Sequence, residues 1–132
     1  MKAVDTTFII DLLRNDKAAL IKSIELDKEP ITFTTEANVY ETVSGIGQKR
    51  DHKEKALHEL EILLSRLTVL PLDHKAAIKA GQISASLMQQ GKMIDDIDCL
   101  TAGIILTNGC NTIISRNTKH FERVEGLKAE KY

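Results

Sequence analysis

The sequence lacks the features that identify several large classes of protein. It has no excess of charge, because 18 basic residues accompany 19 acidic ones for a formal net charge of −1. A protein that binds nucleic acid through a wide basic face is therefore disfavoured. No apolar run approaches the roughly 20 residues of a membrane-spanning helix. Asp5 and Asp11 interrupt the stretch in which a signal peptide would need continuous apolar residues.

Cysteine is scarce as well, and no repeat, linker or low-complexity tract breaks the chain. The two cysteines, Cys99 and Cys110, lie in or beside a predicted buried helix, which indicates reduced core thiols in a cytoplasmic protein. With 132 residues, 42% of them hydrophobic, the chain has enough material for one ordinary core. We therefore expect one domain over residues 1–132, soluble and cytoplasmic.

Short apolar segments alternate with helical patterns along the chain. Residues 2–4, 31–34, 68–70 and 112–115 are predicted strands. The helices between them are predicted by apolar residues at helical spacing, including those over residues 18–26 and 51–66, one capped by Thr35, and one capped by Asp73 and ending at Gly91. The pattern predicts an α/β fold, a three-layer α/β/α arrangement with a central mainly parallel sheet. Ligands of such sheets bind beyond the carboxyl ends of the strands, where the strand order reverses.

One helix stands out from the others, over residues 94–106. Asp95, Asp96 and Asp98 crowd its first turn, where carboxylates suit the positive end of the helix dipole. Its body is apolar on nearly every face, which predicts an interior helix, and Gly109 provides its end.

Several acidic or amide residues fall where they could meet at one edge of the sheet. Asp5 follows the first strand, Asn117 follows the last long one, and Asp98 opens the buried helix. Glu41 lies inside a helix that otherwise carries apolar residues, an unfavourable place for an unpaired charge. If Asp5, Glu41 and Asp98 converge, they raise one another's pKa values and call for a hard cation, Mg²⁺ or Mn²⁺. The histidines show no metal-ligand spacing.

Simpler interpretations exist for each of these residues. Asp5 could be only a helix cap, and any one of the acids at 95, 96 and 98 could only complement the helix dipole. Glu41 could extend to solvent or pair with Lys49 or Arg50. The segment after the last long strand contains Arg116, Lys119 and His120. These side chains could form a solvated helix start, or they could hold phosphate beside a metal.

Four ordered segments carry a resemblance to a known family. They are residues 4–13 (VDTTFIIDLL), 40–45 (YETVSG), 98–103 (DCLTAG) and 114–121 (ISRNTKHF). Together they resemble the PIN-domain family, and within it the VapC-type ribonuclease toxins, over nearly the whole chain. The resemblance implies a PIN-like fold and an endoribonuclease that depends on Mg²⁺ or Mn²⁺.

The resemblance also assigns roles to residues. Asp5, Glu41 and Asp98 match the family's three acids and would bind the metal, while Asn117 falls where other members have a fourth acid or an asparagine. With Asn117 the chain keeps only those three acids, and Asp95 or Asp96 could compensate. Thr101, Gly103 and Ser115 differ from the residues usual in the family. The differences at Thr101 and Gly103 affect packing, whereas Ser115 keeps a hydroxyl group.

Substrate and partner expectations follow from the same resemblance. Asn117 would orient the attacking water or a ligand carboxylate, and Arg116 and Lys119 would attract the RNA backbone. Thr6 and Ser115 would contact phosphate or a water beyond those bound directly to the metal. VapC-type toxins form homodimers and are inhibited by a VapB-type antitoxin, so both partners are expected here.

Two other functions fit parts of the pattern. A haloacid-dehalogenase-like phosphatase would use a strand-end aspartate as nucleophile, but it needs a second aspartate where Thr7 stands. A non-catalytic PIN-like scaffold or RNA-binding module would bind no metal.

Overall fold

The computed structural model describes all 132 residues, and strands and helices alternate along them. The strands are β1 (Lys2–Val4), β2 (Thr32–Thr35), β3 (Thr68–Leu70), β4 (Thr112–Ile114) and β5 (Lys128–Glu130). The helices are α1 (Thr6–Leu13), α2 (Lys17–Leu26), α3 (Glu36–Gly47), α4 (Lys53–Leu64), α5 (His74–Gln89), α6 (Asp96–Thr107) and α7 (Thr118–Phe121). No helix combines the length and the apolar character needed to cross a bilayer.

The five strands form one sheet in the order β3-β2-β1-β4-β5, and every pairing is parallel. The order runs outward from β1 in one direction through β2 and β3, and in the other through β4 and β5. The connections therefore reverse between β1 and β4, which leaves a crevice at the carboxyl ends of these two strands. This confirms the predicted α/β class.

Helices cover both faces of the sheet because successive strand residues point to opposite sides. Ala3 and Ile113 belong to the core beneath α5 and α6, whereas their neighbours Val4 and Ile114 belong to the core beneath α1, α2 and α4. The strands are thus buried on both faces, as expected of a parallel sheet between two helical layers.

The helix predicted to be interior is α6, and this prediction is confirmed. Asp98, Cys99 and the segment from Thr101 to Ile105 are all buried. The helix ends where Gly109 adopts a φ of +76°, a conformation that residues with side chains rarely adopt. The predicted caps Asp5, Thr35 and Asp73 each accept a hydrogen bond from the backbone N–H three residues on.

The structure differs from the sequence prediction mainly near segment ends. The helix predicted over residues 51–66 is shorter, because His52 adopts a positive φ of 59° directly before α4 begins. Strand β5 was not predicted; it pairs with β4 and is only three residues long, with Ala129 as its single apolar residue. Edge strands are short and less apolar than central ones, so their sequence pattern is weak.

Gly103 allows the closest approach between the two helices on its face of the sheet. A Cβ at this position would lie 2.7 Å from both the Cβ and the backbone N of Ala80 in α5. Backbone atoms cannot give way as a flexible side chain could, so α5 and α6 would have to separate. The departure from the family pattern at Gly103 is therefore explained by helix packing.

We predict that Gly103→Ala lowers the free energy of unfolding by about 1–3 kcal/mol, the usual effect of overfilling a packed core. The matched control is Gly81→Ala in α5, where an added Cβ meets nothing within 4 Å. That variant should be neutral or more stable by up to ~1 kcal/mol, since alanine favours helix over glycine. Urea unfolding of both variants measures the difference, and equal stabilities would contradict the close helix contact.

Candidate active site

The crevice between β1 and β4 is lined by side chains that directly follow these strands. Asp5 follows β1, and the turn Ser115–Arg116–Asn117 follows β4. Asp98 comes from the first turn of α6, and Glu41 from the middle of α3. The parallel register Val4↔Ile114 places Asp5 and Ser115 side by side.

Asp5 is both a helix cap and a link between strands. Its Oδ1 accepts hydrogen bonds from the Phe8 N–H (3.2 Å) and the Thr7 hydroxyl (2.6 Å), which caps α1. Its Oδ2 accepts from the Ser115 hydroxyl at 2.5 Å. The residue is only 2% exposed. Asp16 and Asp73 also cap helices but are exposed, so burial and the Ser115 contact distinguish Asp5 from ordinary caps.

The carboxylate of Asp5 is buried with no basic side chain in contact. Burial raises its pKa from the ordinary 3.8 to about 6, although the hydrogen bonds from Ser115, Thr7 and Phe8 act in the opposite direction. The negative charge of Asp98 raises it further. The site therefore holds an anion at an energetic cost, which is typical of functional positions.

Asp98 and Glu41 complete the acidic set. Burial raises the pKa of Asp98, the hydrogen bond and charge of His120 lower it, and the charges of Asp95 and Glu41 raise it again. Glu41 is half-buried, and its carboxylate forms no hydrogen bond or salt bridge. The alternative in which Glu41 pairs with Lys49 or Arg50 is therefore wrong. The charge of Asp98 acts on Asp5 and that of Glu41 acts on Asp98, so each of these two pairs lies close enough to interact.

His120 belongs to this group, and the sequence did not predict it as a ligand. Its Nδ1 lies 3.0 Å from Asp98 Oδ2, and one ligand atom from each of Asp95, Asp98 and His120 lies within 4.8 Å of the others. Sequence spacing alone did not indicate this group, because His120 meets Asp98 only through the fold, across 22 residues of sequence. Its position in the short helix α7, which follows the Ser115–Asn117 turn after β4, was the available signal.

The donor set fits a divalent cation. Asp5 is buried without a cationic partner, and Asp98 has only the titratable His120. Carboxylate oxygens are the ligands preferred by Mg²⁺ and Mn²⁺, and an added imidazole suits Mn²⁺ better than Mg²⁺. Asp95, considered from sequence as a compensating acid, lies close to Asp98 and His120, whereas Asp5, Glu41 and Asp96 are not part of that three-residue cluster.

Thr6, Ser115 and Asn117 take different positions around the acids. Thr6 is buried, and its hydroxyl accepts a hydrogen bond from Asn38 Nδ2 at 3.0 Å. Ser115 is fully buried and accepts from the Asn117 N–H at 2.8 Å while donating to Asp5. Asn117 is exposed, and its side-chain amide makes no hydrogen bond within the protein. Contact of these side chains with substrate stays a prediction.

Arg116 and Lys119, the two side chains predicted to attract RNA, differ in whether they are paired within the protein. The Arg116 guanidinium binds the buried Asp11 through Nε (2.7 Å) and an η-nitrogen (2.9 Å). Tyr132 donates to the same carboxylate at 2.5 Å, which makes a three-residue network that the sequence did not suggest. Lys119 is exposed and unpaired. Arg116 thus carries a charge that Asp11 largely compensates, and its contact with substrate stays a prediction.

Comparisons with known proteins give a consistent result. The family model described as "PIN domain" matches residues 2–127. The chain is 32% identical to the tRNA(fMet)-specific endonuclease VapC of Shigella flexneri over 127 residues, covering 96% of this chain and 94% of the relative. It is 28% identical to ribonuclease VapC2 of Haemophilus influenzae over 131 residues, covering 98% and 96%.

The fold is similar to that of solved toxin–antitoxin structures. The DNA-bound VapBC of Salmonella typhimurium aligns with a TM-score of 0.86 and 27% identity, covering 98% of this chain and 96% of that one. VapBC2 of Rickettsia felis, bound to a fragment of its promoter, aligns with a TM-score of 0.88 at 22% identity, covering 99% and 98%. At that identity the second likeness supports the fold alone.

We predict that Asp5→Asn stabilises the metal-free protein in a pH-dependent way. The pKa of Asp5 is about 6 in the folded protein and 3.8 in the unfolded chain. The contribution of Asp5 to the free energy of unfolding therefore falls as pH rises between these values. The gain in the free energy of unfolding from Asp5→Asn should be small near pH 4 and reach roughly 2–3 kcal/mol above about pH 6.5, at about 1.4 kcal/mol per pH unit.

Urea unfolding in EDTA across this range measures the effect. Asp16→Asn is the control, because Asp16 caps α2 in the same way but is exposed. Above about pH 6.5 the gain from Asp5→Asn should exceed any change caused by Asp16→Asn. Parallel profiles for wild type and Asp5→Asn would contradict the raised pKa of Asp5.

Proposed function

The chain belongs to the PIN-domain family, and we propose on that premise that it is an endoribonuclease that needs a divalent metal ion. The carrying observation is the acidic set Asp5, Glu41 and Asp98 at the topological switch point, with a buried carboxylate that has no cationic partner. Likeness to VapC ribonucleases over nearly the whole length supports the reaction class.

In the proposed site, Asp5, Asp98 and Glu41 hold Mg²⁺ or Mn²⁺, with Asp95 and His120 available as further ligands. When bound, the ion supplies a water of lowered pKa and positive charge beside the scissile phosphate. Ser115 and Thr7 keep the Asp5 carboxylate oriented through their hydroxyl donors. The free amide of Asn117 is placed to orient the water or a phosphate oxygen, and Lys119 attracts the RNA backbone.

The proposed substrate is a structured RNA that is cut in a loop or another unpaired segment. Proteins read RNA most readily where bases are unstacked and accessible. The Shigella relative is named as specific for tRNA(fMet), so tRNAs are the first class to assay. The near-neutral net charge implies that attraction to RNA is local to the crevice and not spread over the surface.

The proposed setting is a cytoplasmic toxin–antitoxin pair with a VapB-type antitoxin and a toxin homodimer. Similar solved structures are VapBC complexes, which supports such a partner. A cavity of about 560 Å³ lies between α1, α2 and α4, and 10 of its 19 lining residues are hydrophobic. Leu20 and Ile62 line it and are 40% and 54% exposed, so an apolar partner segment would bury them. Exposed Tyr40 and Val43 on α3 form a second apolar surface.

Family membership weighs against the two other functions. A phosphatase of the haloacid-dehalogenase type would need an acid at Thr7, whose hydroxyl instead donates to Asp5. A scaffold without catalysis would not need to keep Asp5 buried and without a cation.

We expect Asp5→Asn and Asp98→Asn to fold and to lose at least ~100-fold in the Mn²⁺-dependent rate of tRNA cleavage, since each removes a metal ligand. Asp16→Asn should cleave like wild type, because Asp16 lies beyond the other end of α1. EDTA should abolish wild-type cleavage. EDTA-resistant cleavage, or full activity in both site variants, would rule out this mechanism.

A second experiment addresses the antitoxin. Ile62→Glu should abolish co-purification with a co-expressed VapB-type antitoxin, because it places a charge where an apolar partner segment would pack against Leu20 and Ile62. Ile78→Glu on α5 is the matched control, as Ile78 is 50% exposed but lies outside that cavity. If both variants retain the antitoxin, it binds elsewhere.

A further inference from the structure

A buried asparagine connects the three elements that carry the site acids. Asn38, on α3, is 1% exposed. Its Nδ2 donates to the Thr6 hydroxyl at 3.0 Å, and its Oδ1 accepts from the Thr35 hydroxyl at 2.8 Å. The Thr101 hydroxyl makes a longer contact with Oδ1 at 3.4 Å while donating to the Ile97 carbonyl at 2.8 Å. We call Asn38, Thr6, Thr35 and Thr101 the Asn38 cluster.

Each connected element presents an acid next to its member of the cluster. Thr6 directly follows Asp5. Asn38 precedes Glu41 by three residues, and Thr101 follows Asp98 by three, so each pair shares a helix face. The cluster therefore lies one layer beneath the carboxylates, at the junction of α1, α3 and α6.

The acids alone would not hold this arrangement. Like charges in a poorly solvated crevice repel each other, and no lysine or arginine contacts Asp5, Glu41 or Asp98. Neutral cross-links in the layer below can oppose the separation of α1, α3 and α6 without neutralising the charge that a metal needs.

We propose that Asn38 is a positioning residue for the metal site, holding the elements that carry Asp5, Glu41 and Asp98 at the spacing that binds the ion. The proposal rests on the proposed metal-dependent function. A carboxamide suits the place because it donates and accepts at once, which neither leucine nor an ionised aspartate can do. Every buried side-chain polar atom in the protein has a partner, so loss of this amide would leave the Thr6 and Thr35 hydroxyls short of one.

A neighbouring threonine separates positioning from ordinary core packing. Thr42, also on α3 and 1% exposed, donates only to the Asn38 carbonyl of its own helix, at 2.8 Å. Thr42→Val therefore removes a buried hydroxyl bond without cutting a connection between elements. It is the matched control for loss of stability alone.

The test measures Mn²⁺ affinity by calorimetry for wild type, Asn38→Ala, Thr6→Val and Thr42→Val. Asn38→Ala should weaken Mn²⁺ binding about 10–100-fold, the usual effect of losing a group that orients metal ligands. Thr6→Val keeps the side-chain shape and should weaken it in the same direction, so it decides the question if Asn38→Ala does not fold. Thr42→Val should bind Mn²⁺ like wild type.

Kinetics give an independent readout. If Asn38 only positions the acids, saturating Mn²⁺ should restore kcat of Asn38→Ala, and KM for RNA should not change. Unchanged Mn²⁺ affinity in Asn38→Ala and Thr6→Val, with wild type binding Mn²⁺, would overturn the positioning role alone. Absence of Mn²⁺ binding by wild type would overturn the proposed function and the positioning role with it.

Discussion

Repulsion among carboxylates at the carboxyl edge of a parallel sheet is the constraint on which the rest of this structure depends. Asp5 is almost completely buried, and its pKa is raised to about 6 mainly by loss of hydration. Nothing cationic in the protein offsets that charge. The fold therefore needs enough cohesion elsewhere to keep Asp5, Glu41 and Asp98 together, and the two helical layers over a five-stranded sheet supply it.

The chain meets this constraint with neutral donors. Hydroxyls of Thr7 and Ser115 bind the Asp5 carboxylate, and the amide of Asn38 connects the helices below it. The guanidinium of Arg116, which belongs to the turn that also carries Ser115, is directed to Asp11 and Tyr132 instead. Had Arg116 paired with Asp5, the site would be more stable without metal and bind a cation less well. The metal site thus depends on keeping the Arg116 guanidinium away from Asp5 as well as on the positions of the acids.

Sequence reasoning predicted what local patterns encode. The parallel sheet, the interior helix α6 and the Asp5, Thr35 and Asp73 caps follow from periodicity and from residue types at helix starts, which depend on near neighbours. His120 beside Asp98 and Tyr132 beside Asp11 were missed, because contacts over 22 and 121 residues depend on the completed fold. The burial of Asn38 was missed for the same reason. A polar residue in a helix is expected to face solvent, and its partners Thr6 and Thr101 are distant in the sequence.

Binding of a divalent ion and folding are coupled by this arrangement. An ion that binds the folded crevice and not the unfolded chain stabilises the fold by mass action, and it does so most where the metal-free state carries uncompensated charge. The raised pKa of Asp5 means that protons compete with the ion below about pH 6. The buried carboxylate of Asp5 therefore destabilises the metal-free fold and strengthens binding of the ion. This explains why the hydrogen-bond donors around it are neutral. A positively charged partner would stabilise the metal-free fold and weaken binding of the ion.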